Sequence, residues 1–150
     1  MKHALALLCA TLALSSGMAH AAPKHSAKHK APAPAPPAKS PAVQAAEVWL
    51  ALVDNAQYDK SWDTADPAFK AQVTQTQWAQ TMQQVRAPLG AAKTRTFASA
   101  KRTATLPGAP AGDYAVIQYS TAFAAKPSVE TIVMTHEQDG QWRVSGYFIR

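Results

Sequence analysis

The sequence predicts an α+β domain in which N-terminal helices pack on a curved, four-stranded antiparallel sheet. Three observations support this fold class. Between residues 42 and 90 the apolar residues recur with a helical period, and after Gly90 they alternate as they do in strands. Asp139-Gly140 is a strong hairpin signal near the C-terminus. The roughly 109 residues after Pro41, in a chain of 150, are enough for one hydrophobic core.

The first predicted helix covers residues 43–57. Ser40 is a suitable N-cap, and Pro41 fits the first helical turn because its missing N–H has no intrahelical partner there. The spacing i, i+3, i+4, i+7 defines one apolar face, which consists of Ala46, Trp49, Leu50 and Val53. We expect this face to lie in the core.

Three shorter helical segments are predicted next. Residues 58–65 are rich in aromatic and polar residues and favour one or two helical turns. Asp66 as a cap and Pro67 at the first helical position start a short helix that extends to residue 73. Residues 74–86 form the last helix, and the apolar face of this helix consists of Trp78, Met82 and Val85.

The second half of the chain predicts four strands, over residues 94–106, 114–123, 129–137 and 141–149. Residues 107–112 are rich in Pro and Gly and therefore connect the first two strands as a loop. Alternation in the second strand places Ile117, Tyr119 and Phe123 on one face. In the fourth strand it places Trp142, Val144 and Phe148 together, and we expect Trp142 in the core.

The N-terminal residues predict export and a flexible connection. Residues 1–21 combine a basic start, an apolar run of about eleven residues and a small-x-small end, which is the layout of a cleaved signal peptide. The run is too short to span a bilayer, so no stable membrane insertion is expected after cleavage. Residues 22–41, rich in Ala, Pro and Lys, predict a disordered linker before a domain at 42–150. The expected location is the periplasm or the outside of the cell.

The basic excess of the chain lies in this N-terminal part. The chain carries 15 basic and 9 acidic residues, a formal charge of +6. The residues after Pro41 are close to neutral, so nucleic acid is not an expected partner. The N-terminal lysines predict a soluble spacer or, alternatively, a tether for an anionic envelope polymer. Those of the linker are Lys24, Lys28, Lys30 and Lys39, whereas Lys2 belongs to the predicted signal peptide. The only cysteine, Cys9, lies in the predicted signal peptide.

Several motifs of the domain form a recognisable set. They are Arg86-x-Pro88-Leu89-Gly90, Arg95, Glu130 and Asp139-Gly140-x-Trp142-x-Val144-x-Gly146-Tyr147. Together they resemble a bacterial family of unknown function, the one numbered 4019, over residues 42–150. The resemblance implies a cystatin-like or nuclear-transport-factor-2-like cone, in which helices pack into a curved sheet. It implies no activity, because none is assigned to the family.

Glu130, Arg86 and Arg95 are the first candidate site residues. Glu130 lies two residues from Ile132 on a predicted strand and is expected to lean toward the same face. A carboxylate buried there needs a partner, and either arginine could supply bidentate hydrogen bonds. A structural ion pair is the expected role, and anion binding or catalysis is the alternative.

Tyr58 and Trp62 complete the set of candidate ligand-pocket residues. Both lie in the short aromatic segment before Asp66. Aromatic side chains with a few polar groups are typical of small-ligand pockets, so we expect these two to line the open mouth of the cone.

The expected function is therefore non-enzymatic binding of a small ligand or an envelope partner. The sequence has no nucleophile elbow, Walker loop, dinucleotide fingerprint or zinc motif, so no catalytic residue, cofactor or metal is assigned. One alternative is an isomerase-like or hydratase-like enzyme, pairing Asp63 with Tyr58 or His136 with Tyr147. Another is a structural interaction module that forms a homodimer through an exposed sheet face.

Overall fold

The computed structural model describes residues 39–150, and it contains four helices followed by four strands. The helices are α1 (Pro41–Asp54), α2 (Tyr58–Asp63), α3 (Pro67–Gln72) and α4 (Gln75–Arg86). The strands are β1 (Ala92–Thr103), β2 (Tyr114–Phe123), β3 (Pro127–His136) and β4 (Trp142–Ile149). The α+β fold class is thus confirmed. The predicted signal peptide and all but the last residues of the predicted linker lie outside the described residues.

The helices begin where local capping chemistry predicts. The Ser40 hydroxyl accepts the N–H of Val43, and the Asp66 carboxylate accepts the N–H groups of Ala68 and Phe69. Thr74 and Gln77 cap each other reciprocally at the start of α4. Within residues 39–150, none of the helices has the length and apolar character needed to cross a membrane.

The sheet is an antiparallel meander with the strand order β1-β2-β3-β4. Helix α1 packs on β2, β3 and β4, and α3 packs on β4, where the N–H of Asp66 donates to the Val144 carbonyl over 2.9 Å. No helix of the described part packs extensively on β1. The inner face of the sheet is therefore covered everywhere except along β1.

The core lies between α1 and the inner face of the three covered strands. The predicted face of α1 is fully buried, and Ile117, Tyr119, Ile132 and Met134 oppose it from the sheet. Ser61 is also buried, and it holds two tryptophans. The Trp49 indole donates to its carbonyl over 2.8 Å and the Trp78 indole to its hydroxyl over 2.9 Å. The expectation that Trp49 and Trp78 are core residues is confirmed.

The face of α4 differs from the predicted one by one residue. Its buried residues are Trp78, Met82 and Arg86, whereas Val85 is 41% exposed. The prediction that Val85 belongs to the buried face is wrong, because a paired arginine occupies the place that the apolar pattern gave to valine.

Strand β1 ends earlier than predicted, at Thr103 instead of residue 106. At this end the Thr103 hydroxyl bonds with the backbone of Thr105.

A bulge in β4 reverses the side-chain alternation of the strand. Val133 pairs with Gly146 but Met134 pairs with Val144, so Ser145 is an extra residue on β4. Phe148 consequently lies on the outer face and is 52% exposed. The prediction that Phe148 shares the face of Val144 is therefore wrong. Trp142 is only partly buried, at the edge of the core.

Candidate functional site

Glu130 is the most completely buried charged residue of the described chain, and it lies at the centre of a polar network. Its carboxylate accepts hydrogen bonds from Arg95 Nε over 2.6 Å and from Arg86 Nη1 over 3.3 Å. The hydroxyls of Thr121 and Tyr147 donate to the same carboxylate. The sequence indicates either Arg86 or Arg95 as the partner of Glu130, and the structure places both against it.

Asp54, the last residue of α1, completes this network. Arg86 Nη2 donates to Asp54 over 2.6 Å, and Arg95 donates to both carboxylate oxygens over 2.7 and 3.0 Å. Two arginines thus balance two carboxylates. We call Asp54, Arg86, Arg95 and Glu130 the buried charge cluster after Arg86 and Glu130, which are buried; Arg95 is half-buried and Asp54 lies at the exposed rim. The cluster ties the end of α1 to α4, β1 and β3.

The surroundings of the buried charge cluster raise the pKa values of Arg95 and Tyr147. Burial opposes the charge of Arg95, but hydrogen bonds to Asp54 and Glu130 outweigh it and raise the pKa of Arg95. Burial and the nearby charge of Glu130 raise the pKa of Tyr147, so its phenol stays neutral. A group that exchanges protons in catalysis needs a pKa near the working pH. Arg95 and Tyr147 do not meet this condition, and both donate hydrogen bonds to Glu130.

Asp54, Thr121 and Tyr147 were not predicted as members of this site. Their partners lie between 9 and 61 positions away in the sequence, so spacing could not reveal them. One local signal exists for Asp54: a carboxylate at the C-terminal end of a helix faces the negative end of the helix dipole and requires a cationic partner.

The two predicted aromatic pocket residues lie apart. Tyr58 lines a shallow hollow of about 400 Å³ with Asp54 and Arg86. Trp62 donates its indole N–H to the Val73 carbonyl over 2.7 Å and does not line that hollow. The structure therefore brings Tyr58, but not Trp62, next to the buried charge cluster.

Three of the four residues in the enzyme alternative bind partners outside the expected pairs. Asp63 is exposed and accepts a hydrogen bond from Gln75 over 3.1 Å. His136 contacts Asp113 at 3.1 Å, whereas Tyr147 is bonded to Glu130 and Arg86. His136 and Tyr147 pair with different residues along the β3–β4 ladder, and no hydrogen bond joins them.

A larger cavity lies between the start of α1 and the uncovered strand β1. Its volume is about 810 Å³. Phe97 is 48% exposed there, and its ring meets the Tyr119 ring edge-on with centroids 5.9 Å apart. We call this cavity the aromatic groove. Its apolar side chains are Val43, Phe97, Ala100, Ala115 and Trp142.

One end of the aromatic groove is closed by a stacked aromatic pair. Trp142 and His136 are opposite each other on β4 and β3, and their rings stack with centroids 4.7 Å apart. The Arg102 guanidinium lies 5.2 Å from the Trp142 ring. Asp113 holds both basic residues, and its hydrogen bond from Arg102 lowers the pKa of Asp113. These contacts give the groove a firm end wall.

Phe97 and Trp142 were not predicted as pocket residues. Phe97 is the only large apolar residue of β1, which otherwise consists of Ala, Ser, Thr, Lys and Arg. A lone aromatic residue on such a strand is the one sequence signal for this groove. It could not be interpreted without knowing that the helices leave β1 uncovered.

A second cavity of about 800 Å³ lies near Phe148 on the outer side of the sheet. Much of its wall is the loop of residues 106–112, which is rich in Gly and Pro. Loops of this kind are more mobile than helices and strands. The aromatic groove, walled by α1 and the strands, is the better preformed of the two.

In residues 39–150, no group of three or more His, Cys, Asp or Glu side chains could hold a metal ion.

A family model described as a protein of unknown function (DUF4019) matches residues 45–147 of the chain. No curated protein and no solved structure matches it.

Proposed function

The chain belongs to this family of proteins of unknown function, DUF4019, and we propose that its domain binds a small, partly apolar ligand in the aromatic groove without transforming it. The observation that carries the proposal is the exposed ring of Phe97 inside a cavity of about 810 Å³. Ligand pockets for small molecules have this size, and they combine apolar walls with a few polar groups.

The groove needs little rearrangement to accept a ligand. Val43 and Ala42 on its helical side are buried in the core, and Ala115 on its floor is buried as well. At the far end of α1 the buried charge cluster fixes the helix to β1 and β3. A preformed site loses less conformational entropy on binding.

Binding without catalysis agrees with the state of His136, the histidine that lines the groove. Its Nδ1 lies 3.1 Å from Asp113, and its Nε2 lies 3.2 Å from the Gly140 carbonyl. A general base must reach the substrate proton with a free nitrogen. Both nitrogens of His136 already face oxygen atoms of the protein.

The cellular setting of this binding domain is part of the proposal. We infer export to the periplasm or the cell exterior from the signal-peptide pattern of residues 1–21. The lysine-rich segment 22–41 would attach the domain to its surroundings as a spacer or by attraction to an anionic envelope polymer. Helices on one side of a four-stranded sheet also support a cystatin-like or nuclear-transport-factor-2-like arrangement.

A titration with 1-octanol, a neutral apolar probe, tests the binding site. Backbone amide NMR spectra of the purified protein should show shifts clustered around Val43, Phe97 and Ala115. Phe97→Ala should weaken binding at least about tenfold, because burying a phenyl ring contributes about 1.5–3 kcal/mol.

Phe148→Ala is the matched control for this experiment. Phe148 has nearly the same exposure as Phe97 but lies on the outer face and lines the second cavity. Its replacement should leave the affinity for 1-octanol unchanged. Shifts around Phe148, or an unchanged affinity of Phe97→Ala, would place binding outside the aromatic groove.

A further inference from the structure

The charged residues that line the aromatic groove are all basic. They are Lys39, Lys101 and Arg102, together with His136. No carboxylate lines the groove, although the domain carries nine acidic residues. On the basis of the proposed function, we propose that the ligand of this groove is an amphiphile with one carboxylate group, which binds at Arg102.

Two carboxylates outside the groove lining pair with its basic residues. Asp113 binds Arg102 and His136, and Glu47 binds Lys39 over 2.6 and 2.8 Å. Neither Asp113 nor Glu47 lines the groove. They hold the basic groups in position and balance part of their charge, so the donor of Arg102 that Asp113 leaves free is the one available to a ligand.

Arg102 is placed to receive the carboxylate. It pairs with Ala115, a floor residue, and its guanidinium lies over the Trp142 ring. Asp113 takes only its Nε and Nη2 donors, so Nη1 has no partner among residues 39–150. The side chain of Arg102 is 66% exposed. A planar guanidinium with a free edge is well suited to a carboxylate.

The start of α1 also favours a negative head group. The first turn of α1, from Pro41 to Val43, lines the groove, and the N-terminal end of this 14-residue helix carries a partial positive charge. Lys101 alternates with Arg102 along β1 and pairs with Val116, so its side chain lies on the outer face of the sheet and leaves Arg102 as the cation of β1 on the groove side. An alkyl or aromatic body would lie along Phe97 and Ala100, with the carboxylate toward Arg102.

Three probes with the same eight-carbon tail separate the head group from the tail. They are octanoate, 1-octanol and octyltrimethylammonium, each titrated calorimetrically against the full chain at low salt. We expect octanoate to bind about five- to tenfold more tightly than 1-octanol, and the cation to bind most weakly. The preference for octanoate should shrink in 1 M NaCl, because salt screens exposed charges.

Variants of Arg102 localise the preference. Arg102→Gln should lose the preference for octanoate and keep the affinity for 1-octanol within about twofold, whereas Arg102→Lys should retain part of the preference. Arg143→Gln is the matched control, because Arg143 is also bonded to one aspartate but lies outside the groove. It should bind all three probes as the unchanged chain does.

The possible failures are distinguishable. Equal affinities for all three probes, reduced together by Phe97→Ala, would overturn the carboxylate assignment and leave the proposed function intact. No binding of any probe, or binding that ignores Phe97→Ala, would overturn both. Light scattering that shows dimers of the full chain, dissociated by Phe97→Ala, would make a second copy the occupant and also overturn the assignment.

Discussion

Arg95 on β1 reaches across β2 and holds both carboxylate oxygens of Glu130 on β3, with its Nε 2.6 Å from Oε2 and its Nη2 3.2 Å from Oε1. Thr121, the strand β2 partner of Arg95, donates a hydroxyl to the same carboxylate. The bridge fixes the first and third strands relative to each other. Because no helix packs extensively on β1, this bridge and the backbone ladder with β2 attach the strand to the rest of the domain.

Replacing Glu130 with Gln is expected to cost about 3–5 kcal/mol, because a buried ion pair that loses one partner leaves an uncompensated charge. The amide would also direct an NH₂ group at arginine donors. Urea unfolding at pH 7 measures the loss. Asp59→Asn, at an exposed carboxylate of α2, serves as the control and should remain within about 0.5 kcal/mol. A cost below about 1 kcal/mol for Glu130→Gln would mean that the buried charge cluster contributes little to stability.

Asp54 is expected to make the domain sensitive to acid. Burial alone would raise the pKa of Asp54, but the bonds and charges of Arg95 and Arg86 outweigh it and hold that pKa below 3.8. A carboxyl whose pKa is lower in the folded chain stabilises the fold above the unfolded pKa of about 3.9 and loses this contribution as the pH falls through the folded pKa.

Asp54→Asn tests this dependence. The variant should be less stable than the unchanged chain at pH 7, and the difference should narrow as thermal unfolding is measured from pH 5 down to pH 2. Part of the acid sensitivity should persist, because hydrogen bonds from arginines also lower the pKa values of Asp113 and Asp139. A difference that stays constant over this range would assign the effect of the variant to something other than the carboxylate charge.

Local chemistry explains which parts of the fold the sequence could predict. Ser40, Asp66 and Thr74 cap helices through hydrogen bonds to residues two or three positions away, so the starts of α1, α3 and α4 could be predicted from spacing. Glu130 could be matched with arginines because a buried carboxylate needs a cation. That both Arg86 and Arg95 bind Glu130 could not be predicted, because the fold brings them together.

The unpredicted features depend on long-range packing or on one inserted residue. Ser145 shifts the alternation of β4 and turns Phe148 outward, and nothing in the local pattern marks that bulge. The aromatic groove exists because α1 covers three strands and leaves β1 open. Periodicity assigns faces to elements, but it does not determine which neighbour covers each face.

Ser61 is expected to be more important than its size suggests. It is fully buried. Its hydroxyl accepts a hydrogen bond from the Trp78 indole N–H over 2.9 Å and donates one to the Tyr58 carbonyl over 2.7 Å. Ser61→Ala leaves the indole without this partner, at an expected cost of about 1–3 kcal/mol in chemical unfolding. Ser99→Ala, at an exposed position of β1, should be nearly neutral. Similar small losses in both variants would show that water or another group replaces the Ser61 hydroxyl.

Alanine variants of two glycines distinguish the stability cost of backbone strain from the cost of steric contact. Gly90 and Gly108 have similar positive φ values, 71° and 77°, but a Cβ on Gly90 would lie 3.0 Å from the Ala124 Cβ, whereas one on Gly108 would meet nothing within 4 Å. Gly108→Ala should cost about 1–2 kcal/mol for the left-handed conformation alone. Gly90→Ala should cost about 1 kcal/mol more than Gly108→Ala, because the packed Ala124 Cβ must also move. Equal losses in thermal unfolding would show that Ala124 yields freely.

Trp142 and Trp49 test the distinction between the groove wall and the core. Trp49 is buried between α1 and the sheet, and its indole is hydrogen-bonded, so Trp49→Ala should cost about 3–5 kcal/mol. Trp142 is only partly buried and contacts His136 and Arg102 at the end of the aromatic groove. Its truncation leaves an opening to solvent instead of a closed cavity, and about 1–2 kcal/mol is expected from the lost burial. Urea unfolding of both variants measures the contrast. A loss for Trp142→Ala as large as that for Trp49→Ala would mean that the end wall supports the core itself, and the groove would then be an extension of the core.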